Sequence, residues 1–263
     1  MSRAISARRP LESAAKPTTK PASSIALPGG YFEQSAAPLT SLVFLAPLIV
    51  LYEFGTRWYA SDPVSHVEQR IIAFNLLQQF FALFGATGRY MPAAAVVSIL
   101  LGCHIARNDS WVTHIGHLAG MFLESIVYTI PLRALAYAFA HYLPLYPPQD
   151  NAKALLVLSV GAGIYEEMVF RLVAFVAMHF LFVDLLKMEK VRSFLLMVLV
   201  SSVAFSLYHY LGSERFEWRS FAFRTLAGIY FGFIFLWRGF GITAGTHAAY
   251  DISTFAVRLL AGG

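Results

Sequence analysis

The chain has one cysteine in 263 residues, Cys103, and it lies in an apolar stretch. No intramolecular disulfide can form, and a thiol nucleophile fits that setting poorly. Charge is scarce as well. Only 13% of the residues are Asp, Glu, Lys or Arg, against about a quarter in soluble globular domains, while 57% are hydrophobic. A soluble core cannot hold that much apolar surface. The net charge of +5 does not mark a nucleic-acid partner, because the Lys and Arg residues lie in the first residues and the short connections rather than along one helix face. The Gly-x-Ser-x-Gly elbow and the zinc signature His-Glu-x-x-His are both missing, and Gly161-Ala162-Gly163 falls inside an apolar run where it cannot act as a phosphate loop.

What the chain has instead is long apolar runs. Crossing a bilayer as a helix takes about 20 predominantly apolar residues, and candidates fall at 39–57, 90–106, 115–141, 154–183, 193–211, 221–237 and 240–260. The segment 67–85 is ambiguous, since Gln69, Arg70, Asn75, Gln78 and Gln79 interrupt an apolar pattern of helical spacing. The expected fold is all-α, a polytopic integral membrane bundle of seven to eight transmembrane helices. The basic residues Arg3, Arg8, Arg9, Lys16 and Lys20 and the cluster Lys187, Lys190 and Arg192 share the cytoplasmic side if 67–85 lies at the interface or re-enters, which favours seven crossings and a cytoplasmic N-terminus. Trp58, Tyr59, Trp111, Trp218 and Trp237 fall near segment ends, as interfacial aromatics do. Residues 1–38, rich in Ser, Pro and Ala, read as a disordered basic tail, 39–150 as N-terminal membrane helices and 151–263 as the core membrane domain.

Three clusters place ionisable groups inside these runs: Glu166-Glu167 with Arg171, Phe205 with His209, and His247 with Asp251. A charge at the centre of a membrane helix costs about 2.5–3.5 kcal/mol on insertion scales, so such residues persist where they pair, face a wet cavity or do chemistry. Glu167 and Arg171 are four apart and share a helix face, the spacing of an ion pair. Glu166 is turned by about 100° from its neighbour. The expected division of labour makes Glu167–Arg171 structural and leaves Glu166 facing a cavity. Burial in low dielectric disfavours a charged carboxylate, so Glu166 as a base needs water, a hydrogen-bond donor or a cation beside it. His209 and the i,i+4 pair His247/Asp251 are candidates to supply that, while packing or helix-to-helix bonding is the competing reading for each. His114-x-x-His117 with Glu124 lacks a metalloprotease signature, and His66, His104, His141 and His179 read as packing or loop residues.

In this order and spacing, Glu-Glu-x-x-x-Arg, Phe-x-x-x-His and His-x-x-x-Asp resemble the three motifs of the CAAX protease and bacteriocin-processing (CPBP, or Abi) family, over about 154–255. The resemblance implies a glutamic-type intramembrane protease: Glu166 activates water, His209 is the second water-binding residue, His247 and Asp251 form the oxyanion side, and Glu167, Arg171 and Phe205 support them. It implies no cofactor and no metal. Related prenyl endopeptidases carry Asn where this chain has Asp251, so the role of Asp251 stays open. The implied partners are the lipid bilayer and a membrane-anchored or lipidated protein substrate, in an inner membrane of prokaryotic type, with no nucleic acid; oligomeric state is not legible. The alternatives are a non-enzymatic scaffold, immunity factor or transporter, and a zinc-dependent membrane protease. The absence of a repeat of these clusters in residues 1–150 disfavours a two-halved transporter.

Overall fold

The computed structural model describes residues 30–62, 64–65, 67–139, 151–212 and 214–261. Everything named among them is helical, apart from one isolated antiparallel bridge between Ser61 and Glu68. The elements are α1 (Tyr31–Ser35), α2 (Pro38–Tyr59), α3 (Ile72–Ala82), α4 (Met91–Arg107), α5 (Ile115–Val127), α6 (Thr129–Phe139), α7 (Ala152–Leu185) and α8 (Lys190–Tyr208). They are followed by a helical segment from Trp218 to Ala261 that Gly239 divides into α9 (218–238) and α10 (240–261). Among the described residues, five stretches are long and apolar enough to cross a membrane: Pro38–Tyr59, Ile115–Phe139, Ala152–Leu185, Lys190–Leu211 and Trp218–Val257. The protein is an all-α polytopic membrane bundle.

Local chemistry sets several boundaries. Pro38 opens α2 in the first turn, where its missing N–H is not needed. The Asn151 side chain accepts the Ala154 N–H at the start of α7. At the start of α8 the Glu189 carboxylate accepts from the N–H groups of Val191 and Arg192, which hold it below the usual carboxylate range.

Gly239 decides the architecture of the C-terminal third. Its φ of 79° and ψ of −179° lie in a region open essentially to glycine alone. Phe231 and His247 are 16 positions apart, about 24 Å along a straight helix at 1.5 Å per residue, yet their rings stack with centroids 4.6 Å apart. The rings of Phe223 and Tyr250 also meet, at 6.4 Å. The chain therefore folds back at Gly239, and α9 and α10 form an antiparallel hairpin, in agreement with the separate runs 221–237 and 240–260 expected from sequence.

Two segments in the N-terminal half take definite form. The tail expected over 1–38 gives way to helix earlier, since α1 begins at Tyr31 and Ser35 is fully buried; the Arg238 guanidinium donates to the Phe32 carbonyl and to Ser35 Oγ, holding this segment against the bundle. Residues 1–29, His66 and His141 lie outside the described residues. The ambiguous segment 67–85 forms only the 11-residue α3, about 17 Å long and too short for a hydrocarbon core of about 30 Å. Arg70 precedes it and binds Glu53 of α2 at 2.9 Å and Glu68 at 2.8 Å. Glu53 in turn accepts from the Tyr165 hydroxyl of α7 at 2.8 Å. One buried carboxylate thus ties three elements together.

The core helix α7 packs against α2 on one side and α10 on another. Contact with α10 requires glycine: a Cβ on Gly163 would lie 2.6 Å from the Ala244 carbonyl oxygen and 2.7 Å from the Ala248 nitrogen, both backbone atoms. Gly163→Ala is therefore expected to lower stability by about 1–3 kcal/mol, the range for overpacking a core. The measurement is the thermal midpoint in detergent. Gly102→Ala, whose added methyl meets nothing within 4 Å, should leave that midpoint unchanged.

Candidate active site

The two adjacent glutamates sit where α7 departs from regular α-helix. Residues Ala162–Glu166 and Met168–Val173 form π-helical turns, a local widening that recurs at functional sites. Regular α-geometry would splay Glu166 and Glu167 by about 100°. Here both reach the same imidazole. Glu167 Oε1 is 2.7 Å from His247 Nδ1, and Glu166 Oε2 is 3.8 Å from His247 Nε2.

Glu167 is the more heavily bonded of the two adjacent glutamates. Besides His247, it accepts from Arg171 NH1 at 3.2 Å, and Arg171 Nε stands 3.2 Å from Oε2 as an ion pair without hydrogen-bond alignment. Both side chains are fully buried. Arg171 also donates to the Gly228 carbonyl of α9 at 2.9 Å and lies over the rings of Phe205 and Phe231, 4.7 and 5.7 Å from their centroids. The guanidinium thus gains carboxylate, carbonyl and aromatic partners in place of water.

His209 follows the end of α8. Its Nδ1 lies 2.8 Å from the Phe205 carbonyl oxygen. A carbonyl can only accept, so Nδ1 carries the proton and Nε2 presents a lone pair in the neutral ring. That lone pair is 3.9 Å from Glu166 Oε2. The Phe205 ring packs edge-on to His209 at 5.0 Å and to His247 at 5.8 Å, so Phe205 contributes to the site through its carbonyl and its ring together. Asp251 Oδ2 stands 3.6 Å from His247 Nε2, on the more open side of the cluster.

All seven residues singled out from sequence converge on one place, between α7, the end of α8 and the α9–α10 hairpin. Two details differ from the expected arrangement. The hydrogen bond that orients His247 comes from Glu167, whereas the i,i+4 spacing by itself assigns that task to Asp251. Glu167 therefore serves the Arg171 pair and the imidazole at once, and the expected separation of a structural from a functional glutamate does not hold in the geometry. Sequence reasoning missed Phe231, which stacks on His247 at 4.6 Å, and Tyr208, which donates to Glu166 Oε1 at 3.1 Å. Tyr208 directly precedes His209 and was legible as a polar group at the same helix end. Phe231 carried no signal among 23 phenylalanines. Of the set-aside residues, Glu124 is committed to Arg238 and Tyr31, and His104 is buried edge-on against Trp111. No group of three or more His, Cys, Asp or Glu among the described residues is arranged to hold a metal ion.

The geometry brings two acceptors together, Glu166 Oε2 and His209 Nε2, 3.9 Å apart. Glu166 Oε2 has no hydrogen-bond partner although the residue is buried, and two imidazole nitrogens point at it from 3.8 and 3.9 Å. Comparison with known proteins bears on the same stretch: residues 148–253 match the family model described as type II CAAX prenyl endopeptidase Rce1-like. No curated protein and no solved structure matches the chain.

Neutralising Glu167 tests the buried network. Glu167→Gln leaves Arg171 without a counter-charge in a dry site, and removing one partner of a buried pair typically costs about 3–5 kcal/mol. A steep fall in thermal stability is expected. Adding Arg171→Met to Glu167→Gln should restore part of it, and a double variant no more stable than the single one would show that the charge imbalance is not the cause.

Proposed function

We propose that this chain, whose residues 148–253 match the Rce1-like type II CAAX prenyl endopeptidase family model, is an intramembrane endopeptidase that hydrolyses a peptide bond of a membrane-anchored, lipidated protein with water activated by Glu166 and His209. The observation that carries this reading is the convergence of His209 Nε2 and His247 Nε2 on the unpartnered Oε2 of Glu166.

The chemistry follows from which atoms can donate. Glu166 Oε2 and His209 Nε2 are both acceptors, so a water between them donates one hydrogen bond to each and turns an oxygen lone pair outward. Glu166 takes its proton as the oxygen attacks the carbonyl carbon of the scissile bond. The carbonyl oxygen becomes an oxyanion. His247, with Nδ1–H committed to Glu167, meets it through Nε2–H in the imidazolium form, for which the Glu167 and Asp251 carboxylates provide counter-charge. Collapse of the tetrahedral intermediate breaks the C–N bond, and the protonated Glu166 delivers its proton to the leaving amine. The products are a free amine and a carboxylic acid whose remaining proton passes through His209 Nε2 to solvent, leaving the carboxylate, and no covalent enzyme intermediate is needed. Asp251 supports this by charge beside Nε2, a role that Asn can fill only in part.

A membrane-embedded site selects substrates already held at the membrane, and prenylated C-terminal segments fit the family whose model the core matches. The basic N-terminal residues favour a cytoplasmic location for that end, and the multi-pass chain suits an inner membrane of prokaryotic type.

Two outcomes are expected in proteoliposomes with a prenylated C-terminal peptide, read by mass spectrometry. Glu166→Gln, which preserves shape, abolishes cleavage while folded yield stays near wild type. His247→Ala lowers turnover about 10²–10³-fold, the usual cost of one oxyanion donor, with little change in KM; cleavage by Glu166→Gln at the wild-type rate would falsify the assignment.

The zinc-protease alternative rests on the same ring of His and carboxylate atoms and is separated by chelation. Activity is expected to survive dialysis against a strong chelator. Loss that zinc alone restores, with stoichiometric zinc in the purified protein, would reassign the mechanism.

A further inference from the structure

Tyr208 lies outside the three motifs, yet it is in direct contact with the carboxylate at their centre. Its hydroxyl is 3.1 Å from Glu166 Oε1 and accepts the backbone N–H of Ala73 at 2.8 Å. Ala73 is the second residue of α3, fully buried, and Tyr208 and Glu166 are each 5% exposed. The direction of this relay is fixed. An amide N–H can only donate, so it occupies a lone pair of the phenol and leaves the phenolic proton for Glu166. The Tyr208 ring is itself wedged edge-on against Phe170 at 5.1 Å and His209 at 5.0 Å. A glutamate's terminal torsion is broad and soft, and a bond to one oxygen from a side chain so confined removes that freedom.

We infer that Tyr208 is a positioning residue for hydrolysis: it holds Oε1 so that Oε2 of Glu166 is turned between His209 and His247, and the N-terminus of α3 sets Tyr208 in turn. The inference rests on the reading of Glu166 as the base. Its consequence is that the segment 67–85, outside the matched region 148–253, is part of the catalytic unit. The N-terminal half of the chain then does more than surround the core.

The test compares wild type, Tyr208→Phe, Tyr208→4-aminophenylalanine and Glu166→Gln, each in proteoliposomes with the same prenylated peptide, by single-turnover rate, KM and thermal midpoint. Tyr208→Phe is expected to lower the rate about 10- to 100-fold, the scale of one hydrogen bond to a charged group, with KM within twofold and the midpoint within a few degrees of wild type. The 4-aminophenylalanine chain, which regains an N–H donor in the same place, should recover at least part of that loss. A purely structural tyrosine would move the midpoint and leave the rate of the folded fraction alone. Tyr208→Phe within threefold of wild type, beside an inactive Glu166→Gln, overturns the inference while the proposed function stands. An active Glu166→Gln overturns both. If Tyr208→Phe does not fold, the aminophenylalanine chain decides: a folded chain slowed in turnover with KM unchanged supports positioning, and a folded chain with a lower midpoint but a wild-type rate, or none folded, assigns Tyr208 to packing.

Discussion

The structure turns on one dry ion pair and what is fastened to it. Arg171 and Glu167 are fully buried, and two ions taken from water into an apolar interior are costly unless every part of each finds a partner. Here each partner comes from a different helix: Gly228 and Phe231 from α9, Phe205 from α8, His247 from α10. Satisfying the charge and assembling the site are therefore a single event. A bundle with those helices out of register would leave the guanidinium or the carboxylate exposed to hydrocarbon, which penalises alternative packings and selects this one.

Close backbone approach makes that assembly possible. In a membrane, helices gain little from hydrophobic exclusion and associate through tight contact and polar pairing. Gly163 lets α7 reach the backbone of α10, which brings two carboxylates within range of one imidazole. The reversal at Gly239 lays α9 beside α10, so that a phenylalanine 16 residues upstream becomes the floor under His247. The π-helical turns complete the geometry by pointing adjacent glutamates at one target.

Two charged networks lie elsewhere in the bundle. Glu53, Arg70, Glu68 and Tyr165 form one, and Glu124, Arg238, Tyr31 and Ser35 another. Each spends its charges on internal partners and links parts of the chain distant in sequence. The cluster around Glu166 is different in kind, because there a buried carboxylate oxygen is left facing two imidazoles with no bond made.

The sequence determined, by itself, that the chain is a helical membrane protein, because apolar runs of helix length in a chain with 13% charge have no other stable home. It also marked the seven residues that converge in the candidate site, six of them because ionisable groups are conspicuous wherever the background is hydrocarbon. The i,i+4 pairing of Glu167 with Arg171 was legible because it is local. What tertiary structure decided was every relation between helices: that Glu167 and not Asp251 bonds His247, that Tyr208 links α3 to Glu166, and that Glu53 anchors Arg70 and so holds 67–85 short of a crossing. Helical periodicity fixes which residues share a face of one helix. It carries no information on which faces meet, and that was settled by two glycines and by the need to satisfy buried charge.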